Sequence, residues 1–535
     1  DRAAQPMRDE LAGVALVFNG TIYNYPDLRK QLQAKGHCFK STGDTEVILR
    51  AYIEWGEGSI ARLQGMFAIA IWDSQRQQLV LARDRAGIKP LYFSQTAQRL
   101  LFASNTQALI HADAALDKSL DSFALHNLFS LHGVVPAPHT ILKGIRKVKP
   151  AHYLLIDAQG KVSEKRYWRL TAKRPDRKMT EQDWVQATHD ELRRAVEKRV
   201  KIADVPVGVL LSGGIDSSLL VGLLAEAGQQ DLKTFSVGFE DAPEEKGNEF
   251  EYSDAVAQRF GTDHHQIMVP NEQVLPRLPE AFSHMAEPMF GQDAVAFYLL
   301  SEVVSEKVKV VQSGQGADEV FGGYFWYPRM HHSITPGIKR FSDEYFDRDH
   351  AEYLETVNPR FHTDDVTSAL VQDLLDEVEA DEYLDRVLAV DVTTLIVDDP
   401  VKRVDNMTMA WGLEARVPFL DTGLIELAAS MPPEMKLPNG GKHVLKELSR
   451  GFLPDKVVNR SKAYFPMPAL KYVRGEFLAF MKDILLSEAA KKRAVFNPAY
   501  VEKLLASPED YFTRLQGSKL WHLAALELWL QQNID

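Results

Sequence analysis

The sequence predicts an α+β layered domain followed by an α/β domain built on a doubly wound parallel sheet. Its first part mixes short apolar strands with two amphipathic helices, which is typical of an α+β domain. Its second part alternates helices with apolar strands, which is typical of a parallel sheet covered on both faces. We therefore place the domains at residues 1–170 and 181–535, joined by a linker at 171–180 that is rich in Lys and Arg and contains Pro175.

Hydrophobic periodicity locates the individual elements. The strands predicted in the first domain are residues 14–18, 66–72, 78–83 and 100–103, and its predicted helices are residues 25–35 and 46–55. The strands predicted in the second domain are residues 205–211, 234–239 and 308–312, with a helix at 219–227. Beyond about residue 380 the pattern is mostly helical.

Composition excludes several classes of protein. The 535 residues carry a net charge of −12, with 62 basic and 74 acidic side chains, which argues against a broad nucleic-acid surface. The single cysteine, Cys38, excludes a disulfide within the chain, and we predict that it is a small buried apolar residue. We find no signal-peptide pattern and no apolar run of membrane-spanning length, so we expect a cytoplasmic protein with no membrane partner.

The most informative segment is the Gly-rich turn between the strand at 205–211 and the helix that follows it. It contains Ser212, Gly213, Gly214, Asp216 and Ser217. Glycines let the backbone approach a phosphate, and a helix N-terminus adds partial positive charge. The turn is neither a Walker A motif nor a dinucleotide fingerprint. It resembles the pyrophosphate loop of enzymes that cleave ATP between the α and β phosphates, whereas the structural alternative is a capped tight turn.

A second Gly-rich turn follows the strand at 308–312 and carries Asp318. Because ligands bind at the carboxyl ends of parallel strands, Asp216 and Asp318 could share Mg²⁺ on a pyrophosphate. The structural alternative is again a glycine turn with a helix cap. Farther along the chain, Lys462 could neutralise a leaving pyrophosphate, although a lysine taken alone is more often solvated.

Other polar segments leave function and structure open. Residues 398–407 and 413–421 are dense in charge, which fits either a site or an ion-pair network that supports one. Asn19 and Gly20 follow the first predicted strand and, taken alone, predict a turn. Asp44 precedes a helix and, taken alone, predicts a helix cap.

Taken together and in order, these motifs resemble the glutamine-dependent asparagine synthetase family over nearly the whole chain. The matching segments include residues 18–24, 43–47 and 81–92, in addition to both Gly-rich turns. The resemblance implies an N-terminal nucleophile (Ntn) hydrolase-type glutaminase domain and an ATP-pyrophosphatase domain of the adenine nucleotide α-hydrolase type. It also implies ATP and Mg²⁺ as cofactors, glutamine or ammonia as the nitrogen donor, and a small-molecule carboxylate as the acceptor.

The resemblance further implies roles for individual residues. Asn19 and Gly20 would form the oxyanion hole of the glutaminase, and Asp44 would bind the amino group of glutamine. Leu211 and Val237 would flank the adenosine. The implied pyrophosphate and nucleotide ligands are Ser212, Gly213, Gly214, Asp216, Ser217, Ser313 and Gly314, with Asp216 and Asp318 on Mg²⁺. Lys442 and Lys462 would face the phosphates or the adenylate, and Gln315 would lie beside the reacting carboxylate.

The sequence departs from the family pattern in two ways. The family's glutaminase nucleophile is a cysteine at the mature N-terminus, whereas this sequence starts at Asp1, so we expect no glutamine hydrolysis by the chain as given. Asparagine synthetases usually carry Glu where this chain has Gln315, and an amide cannot accept a proton from attacking ammonia.

Residues 311–319, 397–406 and 514–521 give a finer resemblance. It is to the N-acetylglutaminylglutamine amidotransferase branch, which amidates an acylated dipeptide to make an osmoprotectant. The alternatives are asparagine synthesis from aspartate, another amide- or lactam-forming reaction, a tRNA-modifying adenylating enzyme, and a catalytically inactive scaffold. The acidic net charge weighs against the tRNA reaction. A monomer and a homodimer both stay open.

Overall fold

The computed structural model describes residues 4–460 and 467–535. The chain forms two compact units, one of Asp1–Ser119 with Pro136–Leu170 and one of Leu120–Val135 with Thr171–Asp535. Within the described residues, no helix combines the length and the apolar character that crossing a membrane requires.

From residue 4 onward, the first unit contains two antiparallel sheets and three α-helices. Its strands are β1 (Met7–Asp9), β2 (Val14–Ile22), β3 (Gly65–Asp73), β4 (Gln78–Arg83), β5 (Tyr92–Gln95), β6 (Leu100–Ala103), β7 (Arg146–Lys147), β8 (His152–Asp157) and β9 (Val162–Arg166). The larger sheet has the order β1-β2-β3-β4-β8-β9 and the smaller one β6-β5-β7. The helices are α1 (Tyr25–Ala34), α2 (Asp44–Trp55) and α3 (Thr106–Ala112).

Two apolar layers separate these elements. One face of the larger sheet packs against α1 and α2 through residues such as Leu16, Leu32 and Val47. The other face packs toward the smaller sheet through Leu81, Leu91 and others. Because side chains along a strand alternate between the two faces, the larger sheet contributes to both apolar layers. The α+β prediction for this unit is confirmed.

Two local predictions for this unit are wrong. Asn19 and Gly20 do not form a turn, because β2 continues to Ile22 and pairs Gly20 with Phe67 of β3. Gly20 keeps the ladder intact with a φ of 137°, which a glycine adopts readily. Cys38 is exposed and not buried, since it lies in irregular chain between α1 and α2.

The second unit contains a parallel sheet of five strands within the described residues. They are β10 (Val207–Leu210), β11 (Lys233–Phe239), β12 (Asp263–Val269), β13 (Val310–Gln312) and β14 (Glu414–Arg416). The order is β12-β11-β10-β13-β14, and every pairing is parallel. From β10 the chain adds β11 and β12 on one side of the sheet and then β13 and β14 on the other. This reversal creates a crevice between the carboxyl ends of β10 and β13.

Helices make up most of the rest of the second unit. They are α4 (Ser122–Ser130), α5 (Glu181–Lys201), α6 (Ile215–Glu226), α7 (Phe250–Phe260), α8 (Asn271–His284), α9 (Asp293–Ser305), α10 (Ala317–Phe321), α11 (Trp326–His332), α12 (Lys339–Tyr345), α13 (His350–Thr356), α14 (Val366–Glu377), α15 (Tyr383–Val390), α16 (Lys402–Met409), α17 (Thr422–Ala429), α18 (His443–Ser449), α19 (Asp455–Val458), α20 (Pro468–Lys471), α21 (Gly475–Leu485), α22 (Glu488–Arg493), α23 (Pro498–Ala506) and α24 (Lys519–Asn533).

Residues 120–135 group with the second unit, although the sequence prediction included them in the first domain. The reason is that α4 is almost wholly buried, and its His126 and Asn127 hydrogen-bond Thr367 of α14. The predicted linker is irregular, and Arg174 within it donates to Asp385 of α15 at 2.7 Å.

Candidate active site

The loop between β10 and α6 closes on itself through hydroxyl groups. The backbone N–H of Ser212 donates to Oγ of Ser217 at 3.2 Å, and that hydroxyl donates to the Gly214 carbonyl at 3.2 Å. Gly213 has a φ of 74°, and a Cβ there would lie 2.6 Å from Cβ of Tyr252. Both the positive φ and the lack of room for a Cβ therefore require glycine at this position. The backbone of the loop lies at the N-terminus of α6.

Three charged groups from distant parts of the chain meet beside this loop. Nζ of Lys442, at the start of α18, lies 2.5 Å from Oδ2 of Asp216 in α6 and 2.8 Å from Oδ2 of Asp318 in α10. Burial would lower the pKa of Lys442, but the two carboxylates outweigh it and raise that pKa well above its ordinary value. Lys442 is therefore an ammonium, and we call these three residues the carboxylate–lysine cluster.

Two glycines make room for this cluster. A Cβ at Gly323 would lie 2.2 Å from Oδ1 of Asp318 and 2.3 Å from Cε of Lys442. Gly441 has a φ of 91°, and a Cβ there would lie 2.4 Å from the Gly322 carbonyl oxygen. Sequence reasoning missed both residues, although the Gly-Gly pairs at 322–323 and 440–441 were a visible sign of close backbone approach.

A cavity of about 270 Å³ opens in front of the cluster. Its lining includes the predicted residues Leu211, Ser212, Gly214, Asp216, Ser217, Val237, Ser313, Gly314, Gln315, Asp318 and Lys442. The structure thus brings together nearly every residue that the sequence assigned to ATP and Mg²⁺. Lys462 lies outside the described residues, and its predicted role stays a prediction.

The apolar end of the cavity is formed by the ends of β10 and β11. Leu211 donates its N–H to the Phe235 carbonyl at 2.7 Å, and its own carbonyl accepts from the Ser236 hydroxyl. Leu211 and Val237 are 1% and 9% exposed, so both side chains form a fixed apolar wall.

The β13 loop lies against the first turn of α6. A Cβ at Gly314 would lie 3.0 Å from both Cβ of Asp216 and N of Ser217, so the absence of a side chain sets the approach of the two loops. Ser313 donates its N–H to the Arg416 carbonyl of β14 at 2.9 Å, which anchors the loop to the sheet.

Arginines that the sequence did not assign also line the cavity. Nε of Arg403 lies 2.8 Å from Oδ1 of Asp293, and its Nη1 pairs with Asp399. Nη1 of Arg460 donates to the Gly213 carbonyl at 3.3 Å, and its Nη2 pairs with Glu249. Arg403, in the charge-dense segment 398–407, and Arg460 thus form ion pairs with carboxylates at the cavity.

The predicted glutamine-binding residues lie together in the first unit. Nδ2 of Asn19 donates to Oγ of Ser104 at 3.1 Å, which fixes the amide of Asn19 at the middle of β2. Oδ2 of Asp44 accepts from the N–H of Ile22 at 3.0 Å, so the first residue of α2 is tied to the end of β2. Gly20 lies between them, and a Cβ there would be 2.0 Å from the Met66 carbonyl oxygen.

Two family models match the chain. The asparagine synthase family model matches residues 187–531, and the glutamine amidotransferase domain model matches residues 1–168. The chain belongs to the asparagine synthase family. It is therefore a ligase of that family with a glutamine amidotransferase domain at its amino-terminal end.

Relatives in bacteria and fungi extend over most of the chain. Asparagine synthetase [glutamine-hydrolyzing] 1 of Bacillus subtilis (strain 168) is 31% identical over 100% of this chain and 88% of its own length. Asparagine synthetase [glutamine-hydrolyzing] 3 of the same organism is 30% identical over 98% of this chain and 89% of its own length. Amidase chry2 of Gibberella zeae is 27% identical over 93% of this chain and 83% of its own length.

Proposed function

We propose that the second unit activates a carboxylate with Mg·ATP and that the activated carboxylate is then converted to an amide. The observation that carries this proposal is the carboxylate–lysine cluster at the end of the Gly-rich loop. Backbone N–H groups, a helix N-terminus and an ammonium together suit a polyphosphate. The apolar wall of Leu211 and Val237 suits the adenosine of the same nucleotide.

In the proposed first step, a carboxylate oxygen of the acceptor attacks the α phosphorus of ATP. A carbon–oxygen–phosphorus link forms, the bond between the α phosphorus and the bridging oxygen breaks, and pyrophosphate leaves with the electron pair. Lys442 would stabilise the charge that develops on pyrophosphate, and the family resemblance gives Lys462 the same role. This activation is needed because a carboxylate is a poor electrophile.

In the proposed second step, ammonia attacks the acyl-adenylate carbon. AMP leaves with the carbon–oxygen electron pair, and the nitrogen loses a proton to give the amide. Gln315, which lines the cavity, can hydrogen-bond the reacting groups, but its carboxamide cannot take that proton. The proton would therefore pass to another acceptor, such as the leaving AMP phosphate, a carboxylate of the cavity such as Glu249, or solvent.

Asp216 and Asp318 would hold Mg²⁺. Carboxylate oxygens are the ligands this ion prefers, and in the structure both carboxylates meet at one ammonium nitrogen beside the phosphate loop, so the residues fit a cation. When bound, the ion would neutralise charge on the pyrophosphate.

In a protein that also carries the family's N-terminal cysteine, the first unit would supply the nitrogen from glutamine. Asp44 would bind its amino group, and the amide of Asn19 with the N–H of Gly20 would stabilise the oxyanion. Ammonia in solution would serve as the alternative donor.

For the acceptor we favour an N-acylated glutamine dipeptide, as in N-acetylglutaminylglutamine. The supporting observation is Gln315, because a neutral amide removes negative charge beside the acceptor, and a substrate without a free α-ammonium needs less of it. The second candidate is aspartate, supported by the names of the Bacillus subtilis relatives. Glu249 also brings a carboxylate to the cavity, although Arg460 already pairs with it.

A direct competition separates the two candidates. The enzyme receives Mg·ATP and ammonium with both N-acetylglutaminylglutamine and aspartate, and the products are weighed by mass spectrometry. We expect dipeptide amide, AMP and pyrophosphate. Faster formation of asparagine would refute the dipeptide and establish asparagine synthesis.

A further inference from the structure

Two smaller cavities adjoin the active-site cavity at Arg403. One, of about 150 Å³, shares Asp293 and Arg403 with the active-site cavity, and the other, of about 110 Å³, shares Tyr324 and Arg403 with it. Both are also lined by His132. We call the two together the extension cavity. It is large enough to hold several waters or a polar side chain.

His132 is held at this position by its surroundings. It follows α4 with a φ of 54°, a left-handed backbone conformation that a non-glycine residue seldom adopts. Its Nδ1 lies 2.8 Å from Oδ2 of Asp347, whose own N–H donates to the Ser130 carbonyl at 3.0 Å. Gly517 lies beside the ring, because a Cβ there would be in ordinary contact with Cε1 of His132 at 3.6 Å.

With Nδ1 engaged by Asp347, the other ring nitrogen is available. The described part of the chain gives Nε2 of His132 no hydrogen-bond partner, and the side chain is 16% exposed. Burial would lower the pKa of His132, but the charge of Asp347 and the hydrogen bond to it outweigh burial and raise that pKa. A half-buried, oriented imidazole with one open nitrogen is suited to a ligand.

Five carboxylates, those of Glu245, Asp293, Glu319, Asp391 and Asp399, line the extension cavity beside Arg403, Lys471 and His132. Glu319 and Asp391 accept hydrogen bonds from the hydroxyls of Tyr324 and Tyr327. Arg403 pairs with Asp293 at 2.8 Å and with Asp399, and Lys471 pairs with Glu245 at 2.8 Å. Such a lining offers both hydrogen-bond donors and acceptors. Amide groups, which carry both, can bind to it.

A metal ion is a weaker interpretation of the same cluster. His132, Asp347 and His522 lie close enough to share an ion. The guanidinium of Arg348, however, approaches Nδ1 of His522 to 3.4 Å and would repel a cation.

We propose that the extension cavity binds the amino-terminal half of an N-acyl dipeptide acceptor, and that Nε2 of His132 hydrogen-bonds one of its amide groups. This inference rests on the proposed function, because it takes the dipeptide as the acceptor. His132 is then a specificity-determining residue and Asp347 a positioning residue. An acceptor of one residue would not reach the extension cavity.

The test compares N-acetylglutaminylglutamine with the shorter N-acetylglutamine, using pyrophosphate release with Mg·ATP and ammonium. We expect His132→Ala to raise KM for the dipeptide about tenfold, the size expected for one lost hydrogen bond, and to change KM for N-acetylglutamine less than twofold. Leu515→Phe enlarges a side chain that lines both parts of the extension cavity, leaves His132 and Asp347 unsubstituted, and should act in the same way. His332→Ala, at an exposed histidine, is the matched control and should leave both constants unchanged.

The outcomes separate the two proposals. If the parent enzyme amidates the dipeptide and both His132→Ala and Leu515→Phe leave its KM within twofold, the extension cavity is not the dipeptide site. If the parent enzyme uses aspartate and neither N-acyl compound, the proposed acceptor itself is refuted.

Discussion

Gly323→Ala tests whether the carboxylate–lysine cluster is a catalytic arrangement. Gly323 has no positive φ, so an added methyl acts through its volume alone. Its carbon would lie 2.2 Å from Oδ1 of Asp318 and 2.3 Å from Cε of Lys442, whereas ordinary contact begins at 3.4 Å. One of the two groups must therefore move by roughly 1 Å, a displacement that costs about 100-fold in rate when the group is positioned for catalysis.

This loss corresponds to about 2.7 kcal/mol of transition-state stabilisation. The assay is pyrophosphate release from Mg·ATP with ammonium and either acceptor, and thermal unfolding checks that the variant is folded. Gly58→Ala is the control, because a methyl there meets nothing within 4 Å. A folded Gly323→Ala enzyme with a rate within threefold of the parent would refute a catalytic role for the cluster geometry.

Three further predictions follow from the same structure. Asp216→Asn and Asp318→Asn should each reduce pyrophosphate release by about 100-fold or more while thermal unfolding stays near that of the parent, and near-normal release would remove that carboxylate from the mechanism. Gly20→Ala should destabilise the first unit by about 3 kcal/mol or more in urea unfolding. The reasons are that its Cβ would lie 2.0 Å from a backbone oxygen and that residue 20 has a φ of 137°. Unchanged unfolding would show that the strand can shift to accept the methyl group. Burial lowers the pKa of His126 from 6.5 to about 4. The free energy of unfolding should therefore be largest above pH 6.5 and fall by roughly 3 kcal/mol as the pH drops to about 4. In urea unfolding, His126→Gln should lose this pH dependence, and an unchanged pH dependence would show that His126 is not its source.

The parts of the site carried by strand ends could be predicted from the sequence. Two Gly-rich turns after apolar strands place Asp216 and Asp318 at the same edge of a parallel sheet, because parallel strands share that edge. The strands at 78–83 and 100–103 are confirmed with the same bounds for a similar reason, since their apolar patterns end sharply.

Other parts depend on tertiary packing that no local pattern encodes. Lys442 has a left-handed backbone at the start of a short helix, and only the family resemblance implied it. His132 and α4 lie within the stretch that the sequence prediction placed in the first domain, whereas the structure groups them with the second unit. The local pattern does not indicate the correct unit, because an apolar helix can pack into either hydrophobic core. The arginine pairs at Arg403 and Arg460 join segments far apart in the chain, so their partners appear only in the folded structure.

The strand order of the parallel sheet has a consequence for folding. The loop after β10 comes early in the second unit, but its partners come from the segment after β13 and from the start of α18. The proposed phosphate site is therefore absent until those later segments have docked. Contacts between residues far apart in the sequence form slowly, because the intervening chain must lose conformational entropy before the contacts can stabilise the structure. A nucleotide that binds only the finished site then stabilises the complete unit over every partly folded one. Nucleotide affinity is thus a measure of whether this unit has finished folding.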